Sequence, residues 1–247
     1  MTRSRTVQGF LIICAIATLL ASCNLAVPGV APVTTRALVP LDTALAAAPA
    51  PATAAGYLLR DSAGFRLVGG LSFSAGADPT PIDPPVQQAW IDASAADAAL
   101  SAGMQPAGDP SYMAVLVTGM FEGPGSYGPG GIVAYYVRDP AIVPLSWQET
   151  TIALLVATPD RFEPVPVRVT GALVASASEA LLVEAIGPGG LPVPSARQVK
   201  LRAPVRDTAL LAMLTAAPGG AVRYGKVQIE GIWRNGELVP LSIRIVA

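Results

Sequence analysis

The chain has 247 residues and a formal charge of −1, with 52% apolar and 13% charged side chains; that is core enough for one or two domains and unlike a disordered chain. Histidine is absent and the cysteines are Cys14 and Cys23 alone, which excludes His-based nucleophilic catalysis and His-ligated metals. Glycine and proline number 24 each, punctuation that suits many short strands joined by turns.

Residues 1–9 carry Arg3 and Arg5 and no acid, and residues 10–20 are an apolar run without a charge. That run is too short for a bilayer span, which needs about twenty residues, and has the length of a secretory core segment. It ends in Leu20-Ala21-Ser22-Cys23, which resembles the lipobox of bacterial lipoproteins. The resemblance implies cleavage after residue 22 and acylation of Cys23, so that the mature chain is exported and lipid-anchored to the cell membrane or outer membrane. Two acyl chains suffice for stable anchoring. Asn24 follows the cysteine; the Asp that often retains such lipoproteins at the inner membrane is not there. Ordinary secretion, with cleavage at another small residue, is the alternative.

Without residues 1–22 the chain has 14 basic and 17 acidic side chains, with Lys200 and Lys226 its only lysines. This balance lacks the electrostatic footprint of a nucleic-acid binder or a polybasic membrane patch. Residues 23–54 are rich in Ala, Pro, Val and Thr and read as an extended tether. Within it, residues 42–47 can form a short helix with Asp42 as its cap.

Beyond the tether the sequence repeats. An offset near 113 brings two halves into register, and the repeats are read over 55–140 and 164–247 with 141–163 as a linker. Pro51 meets Pro164 and Val86 meets Val199, and a slightly smaller offset aligns Tyr112 with Tyr224 and Gly119 with Gly231. The first repeat has strand patterns at 56–60, 65–73 and 86–91, and the second at 165–175, 179–186 and 197–202. A helix follows each third strand, opened by Ser94-Ala-Ala-Asp97 in one repeat and by Asp207 in the other. The second of these helices is expected over 208–216, and two further strands complete each half. Asn235-Gly236 marks a two-residue hairpin. In its place the first repeat has Glu122-Gly-Pro-Gly-Ser-Tyr-Gly-Pro-Gly-Gly131, too long for a tight turn and read as a flexible loop. In the linker, 146–149 can cap a helix running to 157, and a strand over 151–157 fits as well.

Three strands, a helix and two strands resemble the oligonucleotide/oligosaccharide-binding (OB) fold, in which a helix plugs a five-stranded barrel. The expected class is therefore mainly β: two tandem five-stranded OB-like barrels, each with one helix between strands three and four. A β-sandwich is the alternative. The resemblance implies ligand binding on strands two and three and on the loop between strands four and five. The candidates there are Tyr127 in the long loop, with Trp90, Tyr112, and Tyr135 or its neighbour Tyr136. These two point to opposite faces of a strand, so only one can join a given ligand face.

The Gly-rich loop lacks the Lys and following helix of a phosphate loop. Asp61, Asp78 and Asp83 lie in turns without EF-hand spacing. No catalytic pair, cofactor or metal site is indicated. The reading is a non-enzymatic, membrane-tethered envelope protein whose partners are the bilayer, through acylated Cys23, and an envelope protein or glycan. A purely structural or assembly role is the alternative.

Overall fold

The computed structural model describes residues 37–73, 79–82, 88–93, 97–105 and 110–246. The expected signal segment, Cys23, Ser94, Asp78 and Asp83 lie outside these residues. The first half runs β1 (Leu38–Pro40), α1 (Leu41–Ala46), β2 (Ala50–Asp61), β3 (Gly64–Val68), β4 (Leu71–Phe73), β5 (Thr80–Pro81), β6 (Gln88–Ile91), α2 (Asp97–Gly103), β7 (Ser111–Glu122) and β8 (Tyr135–Pro144). The second runs β9 (Gln148–Thr150), α3 (Ile152–Ala157), β10 (Pro166–Ala175), β11 (Ala180–Val183), β12 (Gln198–Leu201), α4 (Thr208–Met213), β13 (Thr215–Ala216), β14 (Arg223–Arg234) and β15 (Glu237–Ile245).

Each half closes on itself. The first sheet runs β2-β3-β6-β8-β7 and returns to β2, and the second runs β10-β11-β12-β15-β14 and returns to β10. Strands three and five of each barrel are parallel, through β6–β8 and β12–β15. These are two five-stranded OB-like barrels in tandem; closure of both sheets excludes the sandwich. α2 and α4 each lie between the third and fourth barrel strands.

The two barrels match down to register. Gly56 pairs with Val115 in the first barrel, and Gly171 with Val227 in the second. Both fourth strands break their ladder to the fifth at Gly119 and Gly231. At Gly231 a Cβ would stand 2.4 Å from the Val239 carbonyl oxygen, and at Gly119 2.7 Å from a Val137 methyl. No other residue allows the backbone so close, which is why the two glycines align in the sequence. Asn235 and Gly236 both have positive φ and join β14 to β15, as expected of this dipeptide.

Several boundaries differ from the sequence reading. The tether was expected to reach residue 54, yet β1, α1 and the start of β2 are built into the first barrel. Leu41, Ala44 and Leu45 of α1 enter its core, and β1 pairs in parallel with β2. The helix begins one residue before Asp42, and its N-cap position, Pro40, offers no side-chain bond. The linker region likewise belongs to the fold: residues 141–144 finish β8, and β9 pairs in parallel with β10. Residues 152–157 are helical rather than extended, capped by the Thr151 hydroxyl, which accepts from the Leu154 amide. The strand pattern at 65–73 breaks at Gly69-Gly70 into β3 and β4. The last helix stops at Met213, before the short strand β13.

The barrels are joined along a third apolar cluster. On β2 the residues alternate: Ala54 and Leu58 enter the first barrel's core, while Ala55, Tyr57 and Leu59 pack outward. That outer set meets Ile232 and Leu241 of the second barrel. Hence all of Ala54 to Leu59 is buried, a two-sided burial that strands usually show in parallel sheets. β4 leaves the first barrel and adds in parallel to β15, pairing Leu71 with Ser242 and Phe73 with Arg244.

Glu230 ties the junction together. Its Oε2 accepts from the Tyr57 hydroxyl at 2.7 Å and the Ser242 hydroxyl at 2.8 Å. Its Oε1 accepts from Arg168 Nε and Nη2 at 2.8 and 2.6 Å, while Arg168 Nη1 reaches Glu149. Burial and the Glu230 charge push the Tyr57 phenol far above its ordinary range. Asp207 caps α4 through the Ala209 and Leu210 amides and also accepts from Ser72 and Thr80 of the other half.

Candidate ligand-binding face

Alternation along three strands builds the site. Phe65 and Leu67 point into the first barrel, so Arg66 points out; Ala89 and Ile91 point in, so Trp90 points out; Val137 is buried, so Tyr136 points out. In register, Arg66 opposes Trp90 and Trp90 opposes Tyr136. One row of side chains therefore crosses strands two, three and five of the barrel. Asp61 accepts from the Ala63 and Gly64 amides and pairs with Arg66, so turn chemistry and an ion pair account for this carboxylate.

The long loop lies over the row and is ordered. Gly125 donates its amide to the Ala134 carbonyl, and Tyr127 exchanges two backbone bonds with Val133. The expected flexible loop is thus a small extra ladder, tightened by a turn at Pro129–Gly131. Gly128 has φ +71, and a Cβ there would stand 2.8 Å from the Trp90 ring. From the other side, Gly64 approaches the same ring, leaving 2.5 Å for a Cβ. The indole is clamped between two glycines and serves as a platform for the loop. Tyr127 stacks on Tyr136, with ring centroids 5.5 Å apart and planes 18° from parallel.

Trp90 and Tyr127 thus come together as the sequence suggested. Tyr135 does not join them: it packs on the barrel core and against Gly123, and Tyr136 takes its place. Tyr112 is also elsewhere, 6.1 Å from Tyr57 and 5.3 Å from Phe73 in the cluster between barrels. Its even position on β7 faces outward onto the neighbouring barrel, while Val115 and Val117 face in. Arg66 escaped the sequence reading, although the alternation around Phe65 and Leu67 would have placed it beside Trp90.

The face has an acidic surround. Burial raises the Tyr136 phenol above its usual value, and the charges of Asp92, Asp139 and Glu122 raise it further against the opposing pull of Arg138. Arg138 is itself held by Glu122 at 2.8 Å. No family model, curated protein or solved structure matches this chain. The OB-like assignment therefore rests on strand order, closure and helix placement alone. Among the described residues no group of three or more acids forms a metal-binding cluster, and no helix is long and apolar enough to cross a membrane.

Proposed function

We propose that this chain is a non-enzymatic envelope lipoprotein, tethered through acylated Cys23, whose first barrel binds a neutral glycan. The Tyr127–Tyr136 stack, set beside Trp90 on an OB-type binding surface, carries the reading. Aromatic rings offer flat apolar area with a polar edge, which suits the C–H faces and hydroxyls of a sugar. The acids around Tyr136 oppose a phosphodiester chain and leave an uncharged saccharide as the better fit. The second barrel serves as a rigid support for the first.

Calorimetry of the full chain against neutral cell-wall oligosaccharides tests the binding. Tyr127→Ala and Tyr136→Ala are each expected to weaken it about tenfold, within the range of aromatic stacking losses. Equal affinity in both variants refutes the glycan face. The anchor is tested separately: Cys23→Ala is expected to move the chain from the membrane to the soluble fraction, and persistent membrane fractionation refutes the tether. A protein partner is the second reading, favoured by Ile132, 72% exposed at the tip of the same loop. Cross-linking from position 132 that captures one discrete envelope protein, with no glycan binding, decides for it.

A further inference from the structure

A second concave surface lies between the barrels, away from the glycan face. It is a cleft of about 600 Å³ lined by, among others, Tyr57, Tyr112, Met113, Trp147, Arg168 and Arg244. That volume is in the range of sites for drug-sized ligands. One wall is aromatic: Tyr112 touches Tyr57 and Phe73, and Trp147 packs on the same cluster.

The polar wall is almost fully committed to itself. Arg168 spends Nε and Nη2 on Glu230 and Nη1 on Glu149. Both Glu230 oxygens are occupied, by Arg168 on one side and by Tyr57 and Ser242 on the other. Arg244 differs. Its guanidinium lies 4.2 Å from the Phe73 ring centroid, and no ion pair joins it to a carboxylate among the described residues. Gln228 stands opposite Arg244 in the β14–β15 ladder and also lines the cleft. An aromatic slot thus opens beside one amide and one cation that no described carboxylate neutralises.

We infer that the cleft between the two barrels binds an aromatic monocarboxylate, its ring against Tyr112 and Trp147 and its carboxylate on Arg244 and Gln228. A guanidinium held over a ring is oriented in advance, and its fork matches a carboxylate. A dianion is disfavoured, because Arg168, the other cation lining the cleft, is already paired with Glu230 and Glu149. A neutral ring would leave the guanidinium without an anion and gain the stacking alone.

The test is calorimetric titration of the full chain with 2-naphthoate and, in parallel, with the uncharged 2-naphthamide. The unaltered chain is expected to bind the carboxylate one-to-one and at least tenfold more tightly than the amide. Arg244→Gln is expected to abolish that preference by weakening the carboxylate alone; the site is exposed, and a thermal melt of this variant confirms that it folds. Tyr112→Leu, which keeps an apolar side chain, is expected to weaken both compounds. Absence of saturable binding to the unaltered chain overturns the inference. So does a carboxylate preference that survives Arg244→Gln. Neither result bears on the glycan face, whose variants lie on a different surface of the first barrel.

Discussion

Replacing Glu230 with Ala removes the acceptor for four hydrogen bonds at once, from Tyr57, Ser242 and two nitrogens of Arg168. The Glu230 side chain is 13% exposed, whereas that of Arg168 is 31% exposed and keeps Glu149. Breaking a buried pair from one side costs about 3–5 kcal/mol; partial solvation of Arg168 argues for the lower end, about 3 kcal/mol. For a body of this size that lowers the melting midpoint by about 6–12 °C. Glu230→Gln keeps the shape and one acceptor oxygen, and is expected to cost about half as much. Differential scanning calorimetry of the three proteins at neutral pH measures both. A shift below about 2 °C for Glu230→Ala would refute the claim that this carboxylate holds the barrels together. A double-mutant cycle with Tyr57→Phe should return coupling of about 1 kcal/mol or more.

Three other outcomes follow from the same geometry. Tyr57 has its phenol pKa raised on folding, so its contribution is complete below about pH 10, where the free phenol titrates, and is lost as the pH climbs above that. Urea unfolding at stepped alkaline pH should show that decline, at up to about 1.4 kcal/mol per pH unit, and Tyr57→Phe should flatten it. At Asp207, burial would raise the carboxyl, but bonds from Ser72, the Leu210 and Ala209 amides and Thr80 outweigh it and hold the group below the usual range. Its contribution is therefore present above about pH 4 and fades as acid is added; Asp207→Ala should cost about 2 kcal/mol at neutral pH, read by chemical denaturation. Gly231→Ala forces a methyl against the Val239 carbonyl and should destabilise by about 2–3 kcal/mol, while the same change at Gly219, where no atom lies within 4 Å of a Cβ, should cost less.

The barrels were legible because their order of strands, helix and strands is local, and because Gly119, Gly231 and Asn235-Gly236 mark backbone shapes that few residues permit. The folded status of residues 38–54 was not. Ala and Pro there look like a spacer, yet Leu41, Ala44 and Leu45 enter the barrel core and Ala54 is small because β2 is packed on both sides. Composition records side-chain size and is silent about crowding. The third strand was placed through Val86 against Val199, whereas the ladders equate Ala89 with Val199, since each pairs with the inward Leu67 or Leu182. The intervening loops differ in length, and a constant offset cannot follow that. At the candidate face, Trp90 and Tyr127 were singled out by residue type, and the structure brings them together. Choosing Tyr136 over Tyr135, and assigning Tyr112 to the seam, required the strand phase and the neighbouring barrel, neither of which one sequence specifies.

The excursion of β4 means that the two halves are not interchangeable beads. At 242–244, β15 takes its outer hydrogen bonds from the first half. A fragment beginning after the first barrel would bare those backbone groups and the Leu241 surface together, an open template for another copy of itself. Cutting this chain into its two repeats should thus give a self-associating C-terminal piece.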